Sequence, residues 1–180
     1  NAEEFERLSR TISDMLFLAK ADNNQIIPNR EAIDLAEEIG DLLEYYDVLA
    51  EEKSIDLSFS GAGQILGDRL MLRRAISNLL SNALRHTPND GVVTVQIEER
   101  DDGLTHIAVE NTGNEIPAEH LPRLFDRFYR VDSSRLRTTE NSGLGLAITQ
   151  SIVIAHGGKV RVQSTAEKTR FTLSLPSSHR

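Results

Sequence analysis

The chain has 180 residues and a net charge of −8, enough for one domain or one domain plus an appendage, and an acidic balance that argues against non-specific nucleic-acid binding. It contains no cysteine, which excludes a disulfide framework and a thiolate metal site and suits a reducing compartment. No apolar run approaches the roughly 20 residues that span a bilayer, and a start at Asn1 is not a signal sequence; it predicts a piece of a longer protein, whose upstream part, membrane anchor included, lies outside these residues.

Apolar residues at Phe5, Leu8, Ile12, Met15, Leu16 and Ala19 have the spacing of an amphipathic helix. Asp22-Asn23-Asn24 ends it, after about 33 Å at 1.5 Å per residue. "QIIPNREAIDL" reads as a linker, and a second helical pattern runs from about Ile33 to Leu49. "SIDLSFS" alternates as a strand and stops at Gly61 and Gly63. Asp68 is placed as the N-cap of a helix reaching about Leu84. "VVTVQIEE" and "LTHIAVEN" predict two strands joined by a turn at Asp102-Gly103. A short helix is expected near Leu121–Phe128, followed by an aperiodic polar run. A helix over Leu144–Ala155 and two strands, "KVRVQST" and "RFTLSLP", close the chain. About five strands interleaved with three helices predict an α+β two-layer sandwich carrying a separate N-terminal helix.

In "DRLMLRRAISNLLSNALRHTP", Leu72, Ile76, Leu79, Leu80 and Ala83 form the buried stripe, while Arg74, Asn78, Asn82 and Arg85 share another face. Asn competes with the helix for backbone hydrogen bonds. An ordinary solvated face, which usually carries Glu, Lys and Gln, is one reading. The other is a site for hydrated Mg²⁺ and phosphate, which want hard oxygen ligands with cations alongside.

Three further stretches bear on that choice. "VENTGNEIP" puts Asn111 at a strand end ahead of Gly113, as either a plain turn or an acceptor for a purine amino group beside a close backbone approach. "LFDRFYRVD" groups Phe125, Phe128 and Tyr129 with Arg127 and Arg130, as a hydrophobic staple or a contact near phosphates. "NSGLGLAI" lacks the Lys-Ser/Thr of a P-loop and has no Rossmann-type glycine fingerprint. Gly143 and Gly145 at a helix start nonetheless offer backbone N–H groups and the positive dipole end to an anion.

In this order the stretches resemble the ATP-binding catalytic region of sensor histidine kinases, part of the Bergerat-fold superfamily shared with gyrase-type and heat-shock chaperone ATPases. "NLLSNALRHTP" is similar to the N box, "VENTGNEIP" to the first glycine box, "LFDRFYR" to the F box, "SGLGLAI" to the second glycine box, and "HGG" to the closing glycine motif. "EEFERLSRTISDMLFLAKAD" is similar to the second helix of the dimerisation and phosphotransfer domain, most of all in the copper/silver-responsive subgroup. The resemblance implies three parts: residues 1–24 from the phosphotransfer domain, a linker at 25–32, and a catalytic domain over 33–180.

The resemblance further implies ATP and Mg²⁺ as cofactors. Asn82 would be a Mg²⁺ ligand, Asn78 a second contact to metal or phosphate, and Arg85 a phosphate partner. His86 would lie against the nucleotide, and Arg130 would contact the γ-phosphate. Asn111, Gly113, Ile116, Phe125, Tyr129, Gly143, Leu144, Gly145 and Leu146 would line the nucleotide site, under a lid over Val131–Asn141. Asn111 departs from the family's usual Asp; a neutral acceptor makes a weaker bond, which predicts weak ATP binding that Asn111→Asp tightens.

The hydrolysing relatives carry Glu where this chain has Asn78, and a carboxamide is no general base, so transfer to a histidine imidazole is expected over hydrolysis. None of the five histidines lies on the first helix, so the phosphoacceptor is expected upstream of Asn1. The implied partners are a response regulator receiver domain and a second copy in the parent protein, with no nucleic acid and no direct membrane contact. The implied location is the cytoplasmic part of a bacterial inner-membrane protein. A non-kinase ATPase of the same fold and an interaction module with a degenerate nucleotide site remain as alternatives. Soft Cu(I) or Ag(I) prefers thiolates and thioethers; with no cysteine and only Met15 and Met71, metal sensing is expected elsewhere in the parent.

Overall fold

The computed structural model describes residues 1–131 and 143–178. Its elements are α1 (Ala2–Asp22), β1 (Glu31–Asp34), α2 (Leu35–Glu52), β2 (Asp56–Gly61), β3 (Gln64–Gly67), α3 (Arg69–His86), β4 (Val92–Glu99), β5 (Leu104–Thr112), α4 (Gly145–Ala155), β6 (Lys159–Ser164) and β7 (Lys168–Pro176). One five-stranded sheet has the order β2-β4-β5-β7-β6, with β2 parallel to β4 and the other pairs antiparallel. A small second sheet pairs β1 with β3.

The pleat sends alternate residues of the sheet to the inner face, against the helices. Val93, Val95 and Ile97 of β4, Ile107 and Val109 of β5, and Phe171, Leu173 and Leu175 of β7 point into the core. Against them pack Ile39, Leu42 and Leu43 of α2, Ile76, Leu79 and Leu80 of α3, and Ile148 and Ile152 of α4. The outer face carries polar residues such as Gln96, Glu110 and Arg170, which bond to one another. This is the expected two-layer α+β sandwich. Within the helical layer, Glu38 of α2 is buried between Arg69 and Arg73 of α3, a charged clamp that fixes the two helices' register.

Four details depart from the sequence expectation. Residues 31–34 form a strand rather than linker and helix, because Asp34 is the true N-cap of α2 and accepts from Glu37 N at 3.3 Å. Ile33, counted into the helical stripe, lies opposite Ile65 in the small sheet. The pairing strand β3 has only four residues, too few to show alternation. The helix expected over Leu121–Phe128 is a three-residue 3-10 turn, Leu121–Arg123; Pro122 has no N–H to donate and Phe128 takes a left-handed φ of 63°.

α1 is held at its C-terminal half only. Leu18 is fully buried, Asp14 pairs with Arg74 of α3 at 2.6 Å, and Asp22 pairs with Arg127 at 2.6 Å. Phe5, Leu8, Ile12, Met15 and Leu16 leave an apolar stripe exposed on another face. Among the described residues no helix is long and apolar enough to cross a membrane.

Candidate functional site

The site is built where α3 meets α4. Asp68 caps α3 as read from the sequence, accepting from Met71 N at 3.2 Å, and its own backbone N–H donates to His156 Nε2 at 3.0 Å. His156 Nδ1 faces the Ile152 carbonyl oxygen at 2.8 Å and donates to it, so the end of α4 is bolted to the start of α3. Further along, Thr149 Oγ1 donates to Ala75 O at 3.2 Å, and Asn78 Nδ2 donates to Gly145 O at 3.1 Å. The middle of α3 is thereby set against the N-terminus of α4, where backbone N–H groups lack helical acceptors.

Asn78 is therefore not an ordinary solvated residue: it is half-buried and joined to the second glycine motif. Its Nδ2 is committed, which leaves Oδ1 as an acceptor. Gly145 sits so close that a Cβ there would lie 3.5 Å from Asn78 Cγ. Asn82, one turn on, is also half-buried, and its Oδ1 accepts from Arg85 Nη2 at 3.4 Å. Arg74, placed by spacing on the same flank, instead turns to α1: it pairs with Asp14 and lies 4.8 Å from the Phe17 ring. The flank is thus divided between two tasks.

The end of α3 meets the end of β5. Lys53 Nζ donates to Leu84 O at 2.9 Å and closes the helix C-terminus. His86 is exposed as a residue, yet loss of hydration at its imidazole, followed by the Arg85 and Lys53 cations, lowers its pKa to about 4. It is neutral at pH 7. Gly113 approaches here with φ 153°, and a Cβ on it would lie 3.1 Å from His86 O. Asn111, two residues earlier, is buried on the inner face of the sheet, and its Nδ2 donates to Thr112 O at 3.0 Å.

Sequence reasoning missed two residues beside Asn111. Thr169 of β7 is its register partner and is buried; Thr169 Oγ1 lies 2.8 Å from Ser164 Oγ, which also accepts from Ile116 N at 2.9 Å. The signal was present: Thr169 is in phase with Phe171, Leu173 and Leu175, a polar residue in an inward-facing series. Reading that strand from Arg170 hid it.

The F-box segment divides its aromatic residues between the core and polar contacts of its own. Phe125 stacks edge-on against Phe171 at 6.1 Å and serves as an anchor to the core. The Tyr129 hydroxyl is bonded to His120 Nδ1, and Arg123 lies 4.6 Å over the Tyr129 ring. The Leu144 side chain is fully buried, and Leu146 and Ile116 also pack against the core, so these three offer a ligand backbone more than side chain. Arg130 is half-buried. Phe128 N donates to Gly143 O at 2.8 Å, and Gly143 has φ 82° with space for a Cβ closed by Phe128 Cα at 2.9 Å. The F box and second glycine motif are stapled there. The lid expected over Val131–Asn141 falls on residues 132–142, apart from Val131, and lies outside the described residues, as does His179.

The structure therefore joins Asn78 to Gly145, Asn82 to Arg85, and His86 through Gly113 to Asn111. Residues 67–179 match the family described as histidine kinase-, DNA gyrase B-, and HSP90-like ATPases. Over 98% of its length the chain is 53% identical to the sensor histidine kinase CusS of Escherichia coli K12, covering 37% of that protein. Over 97% it is 50% identical to the probable sensor kinase SilS of Salmonella typhimurium, covering 36% of it. Full-length ShkA, solved in complex with AMPPNP, superposes with a TM-score of 0.86 at 25% identity, over 99% of this chain and 37% of ShkA. The chain thus spans little more than a third of these relatives. With the matched residues running from the cap of α3 through both glycine motifs to the last strand, the chain belongs to the histidine kinase-, DNA gyrase B-, and HSP90-like ATPase family.

Proposed function

We propose that this chain is the catalytic part of a sensor histidine kinase: it binds ATP with Mg²⁺ and donates the γ-phosphate to a histidine imidazole for relay to a receiver-domain aspartate. The observation that carries this reading is the bond from Asn78 to Gly145, with Asn82 one turn along. It places the Asn78 carboxamide beside a helix N-terminus whose N–H groups suit phosphate, with the Asn82 carboxamide one turn further along α3. The relatives named as sensor kinases and the AMPPNP-bound neighbour support it.

The donor set fits a hydrated hard cation only in company with phosphate. Among the described residues no three His, Asp or Glu side chains converge as a metal site, so Asn82 and Asn78 would offer carboxamide oxygens and phosphate oxygens would supply the remaining ligands. A magnesium ion held there supplies charge neutralisation at the phosphates. Arg85 and Arg130 add cationic contacts, neutral His86 offers a flat face, and Asn111 beside Gly113 addresses the base. The protein's contribution is positioning and electrostatics, with no covalent chemistry of its own.

In the parent protein we place this domain on the cytoplasmic side of an inner membrane, in a homodimer signalling copper or silver stress, on the strength of the resemblance. The exposed stripe of α1 is the surface a four-helix dimer would bury. The test of the site is titration with a non-hydrolysable ATP analogue, with and without Mg²⁺, on the wild type and Asn82→Ala. The variant is expected to lose the magnesium-dependent part of the affinity. Equal magnesium dependence in both proteins would overturn the assignment.

A further inference from the structure

Among the described residues, the buried polar side chains at the inner end of β5, Asn111 and its partner Thr169, are neutral. Asn111 is 6% exposed, and the neighbouring Thr169 is 5% exposed. The buried carboxylate among the described residues is Glu38, on α2 and held by two arginines. Each neutral group can present either a donor or an acceptor. The Asn111 carboxamide keeps its orientation through one hydrogen bond, Nδ2 to Thr112 O at 3.0 Å, which leaves Oδ1 as an available acceptor. Rotating the amide by 180° would exchange the two atoms at the expense of that bond. The Thr169–Ser164 hydroxyl pair, 2.8 Å apart, is likewise reversible: either oxygen is able to donate to the other, and Ser164 Oγ still accepts from Ile116 N.

Building on the reading of Asn111 as the base-facing residue, we infer that this site discriminates only weakly between adenine and guanine nucleotides. In the observed orientation Oδ1 accepts from a 6-amino group; turned over, Nδ2 donates to a 6-oxo group. A carboxylate here would accept only, and its charge would repel a 6-oxo group, which is the repulsive element that strong selectivity needs. The carboxamide lacks it. One neutral hydrogen bond bounds the preference this residue can impose, which limits it to about tenfold.

Calorimetric titration of non-hydrolysable ATP and GTP analogues with Mg²⁺, on the wild type and Asn111→Asp, tests this. The wild type is expected to bind the two analogues within about tenfold of each other. The Asp variant is expected to widen the gap at least tenfold by favouring the ATP analogue. A wild-type preference for the ATP analogue of more than about tenfold, with binding still dependent on Mg²⁺, would overturn the proposal while leaving the site assignment standing, and this arm needs no variant to fold. Failure of the wild type to bind either analogue, or an Asp variant unchanged toward both, would overturn the base-facing role of Asn111 and the proposal with it.

Discussion

Arg74 reaches across to α1 and places its guanidinium 2.6 Å from Asp14 Oδ1, with its flat face 4.8 Å from the Phe17 ring. The Asp14 side chain is only 16% exposed, so this pair is more protected from water and salt than a surface ion pair. Asn78 follows Arg74 by one turn of the same helix, so the attachment of α1 and the glycine-motif contact share one rigid element. Asp14→Ala is expected to loosen the α1 attachment by about 1.5–2 kcal/mol, the low end of the range for hydrogen bonds to charged groups. Hydrogen exchange should show faster amide exchange over residues 10–22 with the sheet unaffected. Unchanged protection along α1 would mean that Leu18 and the Asp22–Arg127 pair secure it without Asp14.

Acid should weaken the fold, and His156 gives the direction. Burial, opposed by the bond to Ile152, lowers its pKa below the ordinary histidine value, with Arg30 a smaller lowering influence and Asp68 a smaller raising one. Both ring nitrogens are in use: Nδ1–H donates to Ile152 O, and Nε2 accepts from Asp68 N. A second proton would face an N–H group and break the bolt between α4 and α3. Because the folded value lies below the unfolded one, the unfolded chain takes up the proton first. Stability is therefore fully present above about pH 6.5 and falls as pH drops below that value. His86 and His106 shift in the same direction, so His156→Gln should flatten part of the slope, not all of it. Urea denaturation at pH 7.5 and pH 5 on both proteins measures the share; a wild-type midpoint that rises on acidification would contradict the assignment.

Much of this arrangement is legible in the sequence because the relevant signals are local. Asp68 is followed by an apolar period, and Asn78 and Asn82 sit in phase with each other, off the apolar stripe of their helix. Other features depend on partners far along the chain. Ile33 looks helical until Ile65 is known to lie opposite it, and Arg74 looks like part of a phosphate-facing ladder until Asp14 and Phe17 come into contact with it. Tyr129 carries a hydroxyl suited to a ligand, yet His120 is already bonded to it. Thr169 gains meaning only through its register with Asn111. Tertiary context, absent from any window of sequence, decides each of these.

The staple between the F box and the second glycine motif depends on Gly143. Its φ of 82° is in the left-handed region, and an added Cβ would sit 2.9 Å from Phe128 Cα, a backbone atom with little room to move. Gly143→Ala is expected to cost about 1–3 kcal/mol in strain and to disrupt the bond from Phe128 N. Since Gly145 begins α4 beside Asn78, nucleotide affinity should fall along with thermal stability. Full retention of both would show that the backbone relaxes without consequence there.

Hydrolysis should be slow, and the chain should not label itself. Asn78 has no basic atom, and its Nδ2 is already donated to Gly145 O, so it has no means of taking a proton from water. The described histidines are also poorly placed as phosphate acceptors. His156 is buried with both nitrogens engaged, His120 is tied to Tyr129, His106 is on β5 at the outer face of the sheet, and His86 ends α3. None is on α1, the helix that resembles a phosphotransfer element. Incubated with labelled ATP and Mg²⁺, the chain is expected to bind nucleotide while releasing phosphate little faster than a boiled control. No acid-labile label should remain on the protein. A phosphoramidate recovered from the chain would place an acceptor within these 180 residues, and rapid phosphate release would shift the reading from phosphoryl transfer to hydrolysis.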